Sequence, residues 1–224
     1  MSLLGAAALA MWWDVAPAMR SEFEDWHSHE HFPERMSVPG FRRGSRWTST
    51  SGAGFFVLYE LETYDTLISP DYLKRLNNPS VWSVKMMPRH RNMVRSQCRV
   101  IESHGGGIAR SMLTIRISPE AGQEGTLIAR LRELLCEMPL RPGLTGGHLL
   151  HTETPAIATT TEQKIRGSDA AADWIVLVSA YDTRSLEELM AREFDESALA
   201  DAGARPAQIR GLYDISYSLS VHDL

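Results

Sequence analysis

Three landmarks occur twice in the chain, in the same order. MWWDVAP ends at Pro17 and MLTIRISP ends at Pro119; PGFRRG begins at Pro39 and PGLTGG at Pro142; Tyr-Asp-Thr begins at Tyr64 and again at Tyr181. The first proline and the Pro-Gly lie 22 residues apart in one half and 23 in the other, and Pro-Gly to Tyr-Asp-Thr takes 25 and 39 residues. A duplication of this kind constrains the fold more than composition does, because whatever one copy forms the other must form as well. The copies are read as residues 1–104 and 108–224, joined by the GGG at 105–107, with a polar surface insertion at about 154–172 accounting for the longer spacing.

Each copy reads as the same series of elements. In the first, residues 8–15 form a strand. A helix starts at Pro17, which suits a first helical turn because its missing N–H has no partner there anyway, and runs to His31 or beyond. Residues 41–48 and 55–62 form a hairpin with SGAG as its turn. A helix capped by Ser69 and opened by Pro70 is interrupted at Asn78-Pro79, and residues 95–102 close the copy. In the second, strands are expected at 111–117, 145–152, 173–181 and 212–221, with helices at 126–138 and 185–194. Leu127, Leu131, Leu134, Leu135 and Met138 form a helical stripe. Tyr213, Ile215, Tyr217, Leu219 and Val221 alternate with polar residues.

The order βαββαβ, twice, is the ferredoxin-like plan. Helices cover one face of each sheet and leave the other needing a partner. Two such sheets in one chain satisfy each other as an α+β barrel with helices outside, and a pocket is expected between them. At 43% hydrophobic and 23% charged residues the chain is an ordinary soluble composition. The net charge of −5 lies in the second half, with 11 Lys/Arg against 17 Asp/Glu after residue 104, compared with 12 against 11 before it. Neither half suggests a nucleic-acid partner. Cys98 and Cys136 form no disulfide framework, and the apolar start is too short to span a membrane, so a cytoplasmic location is expected. No G-x-S-x-G elbow or Walker loop occurs, and GGG lacks the context of a dinucleotide loop.

The stretch Trp26–Arg35, WHSHEHFPER, followed by PGF from Pro39, resembles the dimeric α+β-barrel superfamily. The EthD-like and stress-responsive barrel proteins are the nearer branches, the antibiotic-biosynthesis monooxygenases a more distant one. The resemblance rests on Phe23, Trp26, His31, Pro39 and Gly40. It implies a barrel over residues 8 to 221 and chemistry ranging from cofactor-free oxygenases, isomerases and lyases to haem enzymes and chains without activity. A small organic ligand is expected from the pocket between the sheets, and a homodimer from the strand edges and helix faces left for pairing.

On a helical wheel, Met19, Phe23 and Trp26 mark the buried stripe, with Glu30 near its middle. His27 and Glu34 lie on its edge, His31 further round, and His29 toward solvent. Pro33 removes a backbone hydrogen bond and crowds residue 29, so the helix is expected to kink or restart. The matching helix of the second copy has leucine where the first has His31, so the fold does not require the cluster. A carboxylate on an apolar stripe needs a partner, and Arg35, a histidine or a strand arginine is expected to supply it.

Several readings follow. In a catalytic one, His31 or His27 is a general base or acid, Glu30 orients it, and Arg35 or a strand arginine holds an anionic oxygen, with no cofactor or metal. In a metal-binding one, His27, His31 and Glu34 are ligands. The resemblance also raises a haem with His148, His151 or His222 as axial ligand. In a structural one, the cluster is a hydrogen-bonded helix end in a binding or assembly module. Trp12, Asp14, Trp26, Arg42, Arg46, Glu60 and Arg116 are the candidates for lining the substrate pocket. Arg42 and Arg46 are placed on the strand face opposite Phe41, Arg43, Ser45 and Trp47. The basic run RHRNMVRSQCR, with Arg89, His90, Arg91, Arg95 and Arg99, is read as a solvated helix-to-strand junction that has the means to bind an anion.

Overall fold

The repeated Pro-Gly is a repeated turn. Gly40 has φ of 92° and Gly143 of 84°, and the turns close through Phe41 N–H to Val38 O at 3.1 Å and Leu144 N–H to Arg141 O at 3.2 Å. Proline fixes the first central position and only glycine enters the left-handed second one cheaply, which is the chemistry of a type II turn. In both copies the turn opens a strand.

The computed structural model describes residues 3–52, 54–167 and 169–224. Ala53 of the expected SGAG turn and Ser168 of the insertion lie outside the described residues. The first copy runs β1 (Ala7–Asp14), a 3₁₀ turn (Pro17–Met19), α1 (Arg20–Trp26), a π-helical turn (His27–His31), α2 (Phe32–Met36), β2 (Phe41–Ser49), β3 (Gly54–Leu61), α3 (Pro70–Asn77), α4 (Val81–Met86) and β4 (Arg91–Gly105). The second runs β5 (Ser111–Ile117), α5 (Glu124–Glu137), β6 (Leu144–Thr152), α6 (Thr161–Arg166), β7 (Trp174–Ala180), α7 (Thr183–Met190), α8 (Glu196–Asp201) and β8 (Ile209–Ser220). The strands hydrogen-bond in the order β1-β3-β2-β8-β5-β7-β6-β4 and close into one eight-stranded α+β barrel. No helix among the described residues is long and apolar enough to cross a membrane.

Contacts divide the chain into two units. One comprises Leu4–Arg99, Glu153–Ala171 and Ser216–Leu224; the other comprises Val100–Thr152 and Ala172–Ile215 with Leu3. The polar insertion, expected at the surface of the second copy, therefore packs with the first. It runs beside β4, with a parallel bridge from Val94 to Ala170 and hydrogen bonds from Arg95 N–H to Ala170 O and Glu153 N–H to Gln97 O, both 2.8 Å. It thereby covers strand groups that would otherwise need water or a partner.

In the first unit, helices cover the sheet face that carries Leu9, Met11, Trp13, Phe55, Val57, Tyr59 and Leu61, and Phe23, Trp26, Phe32 and Met36 pack onto it. The opposite face carries Trp12, Trp47 and Phe56, with ring centroids 5.0 Å apart for Trp12–Phe56 and 5.4 Å for Trp47–Phe56. The pairing of β2 with β3 shifts register between Phe41 and Arg43. This bulge corrects the expected strand faces. Phe41 joins the helix-covered core with Tyr59 and Tyr72, whereas Arg43 turns to Glu60. In the second unit, Leu127, Leu131, Leu135 and Met138 pack onto Leu113, Ile115, Val176 and Val178, as their spacing predicts.

Candidate functional site

Pro33 has no N–H to return to residue 29, and the chain accommodates this by widening the preceding turn. Phe32 N–H bonds to His27 O, five residues back, and His27–His31 is a π-helical turn. Such single turns recur at functional sites. The widened turn also rotates the side chains that follow. His31, expected to lie further round, is buried; Glu30, expected near the middle of the stripe, is only partly buried.

The histidines enter the helix-covered core. His27 stacks on Phe23 at 5.3 Å and meets Phe32 edge-on at 4.5 Å. His31 lies 4.6 Å from Trp26 and stacks on His27 at 5.4 Å. His90 joins them from the end of the α4 segment, 5.0 Å from Trp13 and 5.4 Å from Phe23. Arg46 Nη1–H donates to His27 Nδ1 at 3.4 Å. A guanidinium only donates, so the His27 proton is on Nε2. His90 Nδ1–H donates to Met87 O at 2.9 Å.

Desolvation disfavours the charged form of all three imidazoles, in the buried His27 and His31 and in the partly buried His90. His27 lies well below the usual histidine range, through burial first and then the Arg46 charge. His31 lies well below it too, through burial and then Arg35. Burial pushes His90 down to about 4. His31 Nδ1 is 3.9 Å from Glu34 Oε2, too far for a hydrogen bond, and it has no hydrogen-bond partner among the described residues. The Nε1 of Trp13 and the hydroxyl of Tyr59, in the same core, also have none.

The carboxylates and arginines around this core pair off. Glu30 Oε1 accepts from Trp26 Nε1 at 3.2 Å, from Ser83 Oγ at 3.3 Å and from Ser80 Oγ. Its partners are an indole and two serines, in place of the expected arginine or histidine. Arg35 is buried and donates to Glu162 of the insertion and, at 3.3 Å, to Glu34. Burial opposes its charge most strongly, but the negative potential of Glu162, Tyr72 and Glu34 and the hydrogen bond to Glu162 together raise its pKa. Arg46 is buried, donating also to Ser216 Oγ at 3.2 Å and Glu24 O at 3.3 Å, with burial lowering its pKa.

The other expected pocket residues are distributed differently. Glu60 is buried and accepts both arms of Arg43, at 2.6 and 2.9 Å, plus Leu4 N–H at 2.7 Å. Arg42 is a partly exposed partner of Glu62 at 2.8 Å. Asp14 accepts from Asn92 at 2.8 Å, and Trp12 is buried on the opposite sheet face from His27. Arg116 is partly buried on β5, where burial lowers its pKa. Among the described residues no group of three or more His, Cys, Asp or Glu side chains is placed to hold a metal ion. His148 is buried beside Ser103 Oγ at 3.0 Å, His151 lies against Trp174 at 4.2 Å, and His222 is exposed.

Sequence reasoning missed His90, Glu162, Ser80 and Ser83. His90 stood within a basic run that masked it, Glu162 within a polar insertion, Ser80 shows only as a helix cap and Ser83 only as a position inside that helix.

No family model matches the chain, and no curated protein matches it. Solved structures do. An anthrone oxidase-like protein superposes with a TM-score of 0.66 at 9% identity, over 100% of this chain and 98% of its own. A candidate monooxygenase from Fusobacterium nucleatum subsp. nucleatum gives 0.64 at 8% identity, over 97% and 95%. A heme-binding protein from Thermus thermophilus gives 0.52 at 9% identity, over 96% and 92%. At such identities the likeness is one of fold: the whole chain corresponds to the whole of each of these proteins, as a single-chain α+β barrel.

Proposed function

We propose that this protein binds a small oxygenated organic compound and acts on it without a cofactor, with His31 as a general base. The observation that carries the reading is the grouping of Trp13 Nε1, His31 Nδ1 and the Tyr59 hydroxyl in one buried core, none with a hydrogen-bond partner among the described residues. Leaving a buried polar group unpaired costs about 1–3 kcal/mol, and such costs are concentrated at functional sites. A neutral imidazole accepts a proton at pH 7. Arg35 and Arg46 supply positive charge near His31 and His27, which favours an anion formed by losing that proton. Trp13, Phe23, Trp26 and Phe32 suit an apolar substrate body.

The anthrone oxidase-like and monooxygenase neighbours support an oxygenase version of this chemistry. There, His31 removes a proton from a methylene group beside a carbonyl. The resulting anion is oxidised by dioxygen. Overall, one methylene and one dioxygen give one new carbonyl and one water: both C–H bonds break, one oxygen atom stays on the carbon, and the other leaves as water with both hydrogens. The same proton abstraction serves an isomerase or lyase. The test is incubation with enolisable aromatic ketones, following dioxygen uptake and solvent-deuterium exchange. His31→Ala is expected to slow both by about 10²–10⁴-fold, the usual contribution of a general base; unchanged rates in a folded variant reject the role.

A second reading, a non-catalytic binding or assembly module, is supported by the pairing of Glu30, Arg35 and Glu60 within the chain. Ligand binding without turnover, indifferent to His31→Ala, would select it. The proposal includes a cytoplasmic homodimer; a solution mass equal to the 25.1 kDa of one chain removes the dimer.

A further inference from the structure

The insertion and β4 enclose a cavity of about 140 Å³ within the first unit. That is well below the roughly 300–1,000 Å³ of pockets for drug-sized ligands, so its occupant has few heavy atoms. Arg95 and Gln97 enter from β4, Gln163 and Arg166 from α6, and no Asp or Glu lines it.

Two lining side chains carry a buried donor with no partner among the described residues, and the Oδ1 of Asp169, outside the lining, is a buried acceptor with none. Gln97 is 9% exposed and its Nε2 has no partner among the described residues. Arg166 spends its terminal nitrogens on Asp169 at 2.9 Å and Glu162 at 3.7 Å, and its Nε is buried without a partner. Arg95 Nη2 donates to the Tyr72 hydroxyl at 3.1 Å, and Arg95 belongs to none of the ion pairs among the described residues. Buried N–H groups without acceptors are costly, and a guanidinium fork is shaped for the paired oxygens of a carboxylate or phosphate.

We propose that this cavity is a binding site for a small oxyanion, a carboxylate or a phosphate, held by Arg95, Arg166 and the Gln97 amide. The site is separate from the histidine core and does not depend on the function proposed for it. The oxyanion completes the donor set and ties the insertion to β4.

The test is calorimetric titration of the full chain with inorganic phosphate and, separately, acetate, at constant ionic strength with chloride as the control. Saturable binding of one of them with a Kd of about 1 mM or tighter is expected, and the preferred anion identifies the source. Arg95→Gln should weaken it about tenfold or more, with only partial recovery in Arg95→Lys, which keeps the charge but loses the fork. Gln97→Met, of similar shape, gives a second variant should Arg95→Gln not fold. Absence of binding beyond that of chloride, or equal affinity in folded Arg95→Gln and Gln97→Met, overturns the proposal.

Discussion

Glu30 holds three donors at one oxygen, so its removal is felt through what it leaves behind. Glu30→Ala strands the Trp26 indole and the Ser80 and Ser83 hydroxyls, and should cost about 1–3 kcal/mol in urea unfolding. Glu30→Gln keeps an acceptor there and should cost less. Arg35 and Glu162 form a buried pair. Breaking such a pair from one side costs about 3–5 kcal/mol, whereas replacing both partners by apolar residues is often near neutral. Arg35→Met and Glu162→Leu should therefore each destabilise more than the double variant, and a double-mutant cycle by denaturation checks this. At this scale the sequence was partly legible. It marked Glu30 as needing a partner, because a carboxylate beside an apolar stripe is visible in one helix. It pointed to Arg35, a histidine or a strand arginine for that partner, because the serines lie 50 and 53 positions away and Glu162 lies 127 from Arg35. Side-chain pairing over such separations leaves no local pattern.

The π-helical turn and the bulged strand below it fit together at Gly44. A Cβ there would collide with the Phe32 ring and approach Tyr59, so glycine lets α2 settle on β2. Gly44→Ala should destabilise by about 1–3 kcal/mol, as overpacked cores do, and should shift the His31 resonances by displacing Phe32 just after the turn; thermal melting and NMR measure the two effects. The elements of the two βαββαβ copies and their order were readable from periodicity, with the break at Asn78-Pro79 appearing between α3 and α4, whereas α6 within the insertion and the separate α8 were not. The disturbance at Pro33 was readable too. Its form was not, because a wheel at constant pitch has no place for a widened turn, and strict alternation along β2 has none for a bulge. Both irregularities changed which side chains are buried.

For the whole molecule, the duplication was enough to indicate the eight-stranded barrel, since two βαββαβ copies leave two sheet faces to be covered. It did not indicate that the insertion of one copy completes the unit of the other, because polar composition reads as surface whether or not a buried pair is formed. Two buried histidines and the partly buried His90 also give stability a pH dependence. Their folded-state pKa values lie below the ordinary 6.5, so the unfolded chain binds more protons as pH falls. Their stabilisation is complete above about 6.5 and is lost on acidification, down to about 4 for His90. Each contributes up to about 1.4 kcal/mol per pH unit within its window. His90→Gln should give a shallower decline in unfolding free energy between neutral and acidic pH than the wild type. The most direct test of a neutral imidazole base is NMR titration of the protein carrying nitrogen-labelled histidine. His27 and His31 should remain neutral well below pH 6.5, with His27 protonated on Nε2; a protonation midpoint at or above 6.5 for His31 would contradict it.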